Sequence, residues 1–208
     1  NDTYVSAPFL DALGKMADEA GLTSLYTVRA AVLDTGIDAT HEDLVNRVVA
    51  GYDAINDAAI AKGINSDISA NGHGTKVAGL IGAEADNDVG FCGMAGKYPL
   101  ELIPVRVLGE DGKGKIADVV RGIYWAIDNG ADILNMSFGA NMSYYPTALA
   151  NAIRDARRQN VFSICAGGND TGYNSSTTYS GFYPADLQDA YPVLAGYYGS
   201  ANIQSFSY

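Results

Sequence analysis

Apolar residues along this chain alternate between two rhythms. Phe9, Leu13, Met16 and Ala20 recur at helical spacing, and Gly21 is placed to end that helix. An apolar run from Val28 to Leu33, interrupted only by Arg29, stops at Asp34. A second helix is expected from near His73 through Val77 and Leu80 to about Ala83. Leu102 to Leu108 reads as a strand. Ile116, Val119, Val120, Ile123 and Ile127 mark a helix with one apolar face. Ile133 to Met136 is a short buried strand, and Leu149, Ala152, Ile153 and Ala156 mark another helix. Val161 to Cys165 and Val193 to Ala195 read as further strands.

This strand–helix alternation predicts an α/β fold built on a doubly wound parallel sheet. In such sheets functional residues gather at the carboxyl ends of strands. Asp34, Ser137 and Asn169 fall at or just after such ends, so the architecture nominates them before any motif is considered.

Composition narrows the classes of function. A chain of 208 residues is long enough for one domain with a sizeable core. Charged residues make up 18%, below the ~25% of an average globular protein, which argues against disorder. The net charge is −11. Nucleic-acid binding depends on Lys and Arg neutralising phosphates, so nucleic acid is not an expected partner. Excess carboxylate suits a solvated surface or cation binding. Cys92 and Cys165 make no disulfide framework and sit in apolar or small-residue contexts, as buried packing residues do. No apolar run approaches the ~20 residues of a membrane span. Asn1 starts without a basic-then-apolar leader.

Three motifs carry chemistry. Asp34-Thr35-Gly36 is ambiguous alone: it reads as an ordinary strand-to-loop turn, or as one half of an aspartic protease, which needs two such aspartates. His73-Gly74-Thr75-Lys76-Val77-Ala78-Gly79 sets a histidine at a helix start among small residues. A histidine so placed after an aspartate at a strand end matches a base and its orienter. Ala166-Gly167-Gly168-Asn169-Asp170 follows a buried strand; it is either a Gly-Asn turn or a place where the Asn169 amide donates to an oxyanion.

Together with Val32-Leu33-Asp34-Thr35-Gly36-Ile37-Asp38 and Asn135-Met136-Ser137-Phe138-Gly139, these motifs resemble the subtilisin-like (subtilase) serine proteases, in that family's order. The resemblance runs from about Val28 to the end. It implies a subtilisin-like three-layer sandwich, incomplete at its C-terminal end, with residues 1–208 forming a single catalytic domain that lacks the nucleophile segment. It implies that Asp34 orients His73, that His73 is the general base and that Asn169 stabilises the oxyanion. Lys76 departs from the family's commonest histidine there, and is expected to point away from the base.

The resemblance also places substrate residues. Gly112-Lys113-Gly114 and Ser137-Phe138-Gly139 look like two edges between which an extended peptide or protein segment adds as a strand. Leu108, Ile116, Val119 and Phe138 match an apolar pocket, although plain core packing would give the same pattern. Phe182 aligns near the floor of the primary specificity pocket, where its bulk would favour small or medium side chains. A structural Ca²⁺ site is implied too, with Asp43, the Asn87 side-chain oxygen and the carbonyls of Ala85, Val89 and Phe91 as ligands; oxygen-only ligation suits this hard cation. Asp2 is a further candidate. Without the ion, the same loop reads as a solvated acidic turn. Secretion and a pro-peptide are expectations of the family alone.

The nucleophile is missing. No Gly-Thr-Ser segment occurs, Ser205 and Ser207 match a family segment before the nucleophile, and Ser137 lies in a substrate edge. Three readings stay open: a fragment whose serine lies on a C-terminal piece outside this chain, a pseudoprotease or scaffold that binds peptides without cutting them, and a single-motif aspartic protease acting as a dimer.

Overall fold

A central parallel strand organises the molecule. In the computed structural model, which describes residues 15–16, 26–169 and 181–195, the apolar run after Tyr26 forms β1 (Val28–Asp34). There follow β2 (Gly51–Asp53), β3 (Ala58–Ile60), α1 (His73–Gly82), β4 (Leu100–Arg106), α2 (Ile116–Asp128), β5 (Ile133–Met136), β6 (Ala140–Met142), α3 (Thr147–Arg158), β7 (Phe162–Ala166), β8 (Gly181–Tyr183) and β9 (Ala190–Val193). The expected helix around Phe9, Leu13 and Ala20 lies outside the described residues, as do Asp2, Asp170, Ser205 and Ser207.

Seven strands form one sheet in the order β3-β2-β4-β1-β5-β7-β9, and β6 with β8 forms a separate antiparallel ribbon. Only β3 runs against the others in the large sheet. The strand order turns outward on both sides of β1, and ligands of such sheets sit at this switch point, beyond the carboxyl ends.

Side chains of a strand alternate between faces. Ala31 and Leu33 of β1 join the core formed with Ile123 and Ala126 of α2 and Leu149, Ala152 and Ile153 of α3. Ala30 and Val32 face the other way, in a core with Ala78 of α1 and Leu102 of β4. Helices thus cover both faces, giving the three-layer α/β arrangement expected. By the same parity Asp34 points to the α1 face.

Two strand boundaries differ from expectation. The strand expected at Leu102–Leu108 is β4, Leu100–Arg106; the Val107 and Leu108 N–H groups both turn to the Asp34 carbonyl, which peels the chain off the ladder. The strand expected at Val193–Ala195 is β9, Ala190–Val193, set by its register against Ser163–Ala166 of β7. Pro192 is tolerated there because β9 lies at the sheet edge. Four strands of three residues each, β2, β3, β6 and β8, were not expected, being too short to show a period.

On the α1 side, an apolar groove of about 770 Å³ runs beside that helix. Leu80, Met94, Ile164, Ala166 and Val193 are among the residues that line it.

Candidate active site

Asp34 closes β1 and is wholly buried. Its Oδ1 accepts from the Thr35 N–H at 2.8 Å and faces His73 Nδ1 at 2.8 Å. A carboxylate only accepts, so this pairing puts the ring proton on Nδ1 and leaves Nε2 with a free lone pair. The His73 side chain is 44% exposed against 0% for Asp34, so the ring spans from the sealed carboxylate to the open cleft. Asp34 Oδ2 is buried with no hydrogen-bond partner among the described residues. The close approach depends on Gly74: a Cβ there would collide with the Gly36 carbonyl and press on the Asp34 Cβ.

A cleft of about 300 Å³ opens at His73, bordered by Thr35, Asn71, Asp111, Ser137 and Phe138. A second cavity of similar volume adjoins it and is lined by Leu108, Gly112, Lys113, Gly114, Ile116, Val119, Phe138 and Gly139, eight of the expected peptide-contacting residues. Leu108, Gly112 and Phe138 border both spaces, which therefore adjoin. Ala140, Met142, Leu149, Tyr183 and Pro184 complete the lining and were not among the expected substrate residues. Leu149 reads as part of an apolar helix face, and the β6–β8 ribbon that brings in Met142 and Tyr183 leaves no periodic signal.

Ser137 lies at the edge of both the cleft and the apolar groove, where its hydroxyl accepts from the Asn135 amide at 2.9 Å. Asn169 is exposed two residues beyond Gly167, whose N–H binds the Val193 carbonyl at 2.8 Å. The Phe182 ring packs between the backbones of Gly139 and Gly168: a Cβ on Gly139 would strike it, and one on Gly168 would come within 3.4 Å. Phe182 thus joins one expected substrate edge to the turn carrying Asn169. Lys76 is exposed.

Asp67, absent from the sequence-based set, accepts from Thr35, Ser69 and Thr75. Burial alone would raise its carboxyl, but the hydrogen bonds from Thr75, Ser69 and Thr35 outweigh that and hold it below the usual value. A polar loop six residues before a histidine is its only trace in sequence. Cys92 and Cys165 are both buried, and burial pushes the Cys165 thiol up to about 12, against the thiolate that a nucleophile needs.

The proposed cation ligands Asp43 and Asn87 come together. Asp43 is 1% exposed; its carboxylate accepts from the Asn87 amide at 2.9 Å and the Phe91 N–H at 3.2 Å, and Gly90 crosses over it in the left-handed region (φ 50°). The ion pairs among the described residues do not include it. A buried carboxylate without a cationic partner, wrapped by an oxygen-rich loop, fits a hard cation. Here the Asn87 oxygen accepts from the Val89 N–H at 3.1 Å instead. Among the described residues no three His, Cys, Asp or Glu side chains converge as a metal cluster. No helix among them is long and apolar enough to cross a membrane.

Known proteins resemble this chain in sequence and in fold. Residues 27–207 match the subtilase family model. The chain is 36% identical over 165 residues to a thermophilic serine proteinase of Bacillus sp. (strain AK1), covering 79% of this chain and 37% of that protein. It is 36% identical over 168 residues to subtilisin DY of Bacillus licheniformis, covering 81% and 56%. The fold superposes on fervidolysin from Fervidobacterium pennivorans, described as a keratinolytic enzyme related to subtilisin, with a TM-score of 0.73 and 31% identity over 87% of this chain and 26% of that one. The chain spans about half the length of the curated relatives it matches, or less. Those relatives include a major intracellular serine protease and a minor extracellular protease, both of Bacillus subtilis, so kinship does not fix a location. The family match over most of the sequence, the identities and the shared fold agree: the chain belongs to the subtilase family.

Proposed function

We propose that this chain is the larger part of the catalytic domain of a serine endopeptidase, with His73 as general base, Asp34 as its orienter and Asn169 as oxyanion donor. The observation that carries this reading is the 2.8 Å contact between His73 Nδ1 and a wholly buried Asp34 at the mouth of a peptide-sized cleft. The attacking hydroxyl comes from a C-terminal segment outside this sequence. Its proton passes to His73 Nε2 as the oxygen attacks the scissile carbonyl, and Asp34 stabilises the imidazolium. The Asn169 amide donates to the oxygen that gains the negative charge. His73 then returns the proton to the departing amine, leaving the acyl-enzyme for water.

The extended substrate lies between Gly112–Gly114 and Ser137–Gly139, with an apolar side chain in the pocket of Leu108, Ile116, Val119 and Phe138. Phe182 limits the primary pocket to small or medium side chains. Asp43, Asn87 and the carbonyls of Ala85, Val89 and Phe91 would hold a Ca²⁺ ion, which would supply stability rather than chemistry.

The test uses the full-length gene product. A serine-directed fluorophosphonate should label a residue beyond Tyr208, and His73→Ala should lower peptide cleavage by roughly 10²–10⁴-fold. Peptide binding with neither labelling nor cleavage would instead establish a binding or scaffolding role.

A further inference from the structure

The start of α1 lacks a local cap. Its N-cap residue, Gly72, has no side chain to offer and sits in the left-handed region. The first N–H groups of a helix need acceptors from elsewhere. The His73 N–H binds the Ser69 hydroxyl at 3.1 Å, the Gly74 N–H binds the Thr35 hydroxyl at 3.0 Å, and the Thr75 N–H binds Asp67 Oδ2 at 3.0 Å.

All three acceptors lead to one side chain. The Thr35 hydroxyl donates to Asp67 Oδ1 at 2.9 Å, and the Ser69 hydroxyl donates to the same oxygen at 2.7 Å. The Thr75 hydroxyl donates to Oδ2 at 2.6 Å while accepting from the Asp38 N–H at 3.0 Å. Thr35 follows Asp34 directly, and His73 opens the helix. Asp67 therefore ties the strand end that carries the orienting carboxylate to the helix turn that carries the imidazole.

We propose that Asp67 is a positioning residue for the Asp34–His73 pair: through Thr35, Ser69 and Thr75 its carboxylate sets the distance between β1 and the first turn of α1. The proposal rests on the reading of His73 as a base. Asp67 touches neither ring nor substrate. Its five acceptor contacts are shared between two oxygens, three on Oδ1 and two on Oδ2. An amide keeps only one of those oxygens and its nitrogen cannot accept, so Asp67→Asn must release either the Thr75 N–H or the Ser69 N–H and reverse the hydroxyl contacts on that side.

The experiment is NMR of the imidazole N–H protons in the protein, with the His73 Nδ1–H resonance assigned by its loss in His73→Gln. Asp67→Asn should speed exchange of that proton with solvent by about tenfold or more and raise amide exchange at Gly74 and Thr75. Thr75→Val, which keeps shape but not the hydroxyl, should do the same, while Thr75→Ser should restore the parent signal. Binding of an extended peptide should not change in any of these variants. In the active full-length protease, Asp67→Asn should lower kcat by up to roughly 10²-fold at unchanged KM, the scale of a misplacement near 1 Å. If Asp67→Asn does not fold, Thr75→Val against Thr75→Ser decides the matter alone. An unchanged Nδ1–H signal in Asp67→Asn or Thr75→Val overturns the proposal. If Asp34→Asn abolishes that signal at the same time, the base reading of His73 survives; if Asp34→Asn leaves it unchanged too, both fall.

Discussion

The two faces of the central sheet differ in how they are finished. On one, α2 and α3 seal β1, β4 and β5 with Ile123, Ala126, Leu149, Ile153 and Ala156, all 3% exposed or less. On the other, α1 covers β1 and β4 through Ala78, but among the described residues an apolar groove stays open beside Ile164, Ala166 and Val193. Asp34, His73, Asp67 and the Asp43 loop all belong to this second side. The sealed face holds the fold by burial, whereas the open face spends its polar groups on geometry. Close-packed apolar atoms gain free energy wherever they touch, while a buried carboxylate is tolerated only where donors are aimed at it.

The largest test of this contrast is a matched pair of truncations. Ile153→Ala on the sealed face should cost about 2–5 kcal/mol in denaturant unfolding. Ile164→Ala in the groove should cost under about 1 kcal/mol, because the residue is only half-buried. Equal losses would mean that the groove is filled in solution.

Removing Ca²⁺ comes next. An ion present at 100 times its Kd stabilises by about 2.7 kcal/mol. Excess chelator should then lower Tm by about 5–10 °C in a chain of this size, and Asp43→Asn should abolish the response. An unchanged Tm would remove the ion from the open side.

Gly74→Ala should cost about 1–3 kcal/mol, because the added methyl meets the Gly36 backbone rather than a side chain that can swing away. The same variant should lose the His73 Nδ1–H signal. A full signal would show that the first turn of α1 can shift without separating the pair.

Acid should act more gently. Burial would raise Asp53, but its hydrogen bonds with Arg106 and Asn56 prevail, and its carboxyl, like that of Asp67, lies below the ordinary value. A carboxyl depressed in the folded state adds stability that is complete above about pH 4 and is lost as pH falls through the folded value. Unfolding free energy should therefore fall below about pH 4, with a shallower slope in Asp67→Asn. The smallest effect on stability belongs to Phe182→Ala, about 1 kcal/mol or less. It should extend cleavage by the full-length protease to Phe and Tyr at the scissile position; no change in preference would place the specificity floor elsewhere.

Much of this was legible in the chain itself. The runs at Val28–Leu33, Ile116–Ile127, Ile133–Met136 and Leu149–Ala156 predict the central elements because each is long or regular enough for its period to show. Asp34 and His73 stand out because their motifs have local form: a strand end followed by Thr-Gly, and a histidine followed by small residues. The sequence by itself therefore determines the fold class, the family and the nominees for acid–base work. The meeting of Asp34 with His73 at 2.8 Å, the fusion of Leu108, Gly112 and Phe138 into two adjoining spaces, and the gathering of Thr35, Ser69 and Thr75 onto Asp67 belong to the tertiary structure. The reason is physical. Hydrophobic period is a property of neighbours in sequence, but a hydrogen bond between residues 32 or 39 positions apart exists only once the sheet and the helix have packed and brought its donors within reach.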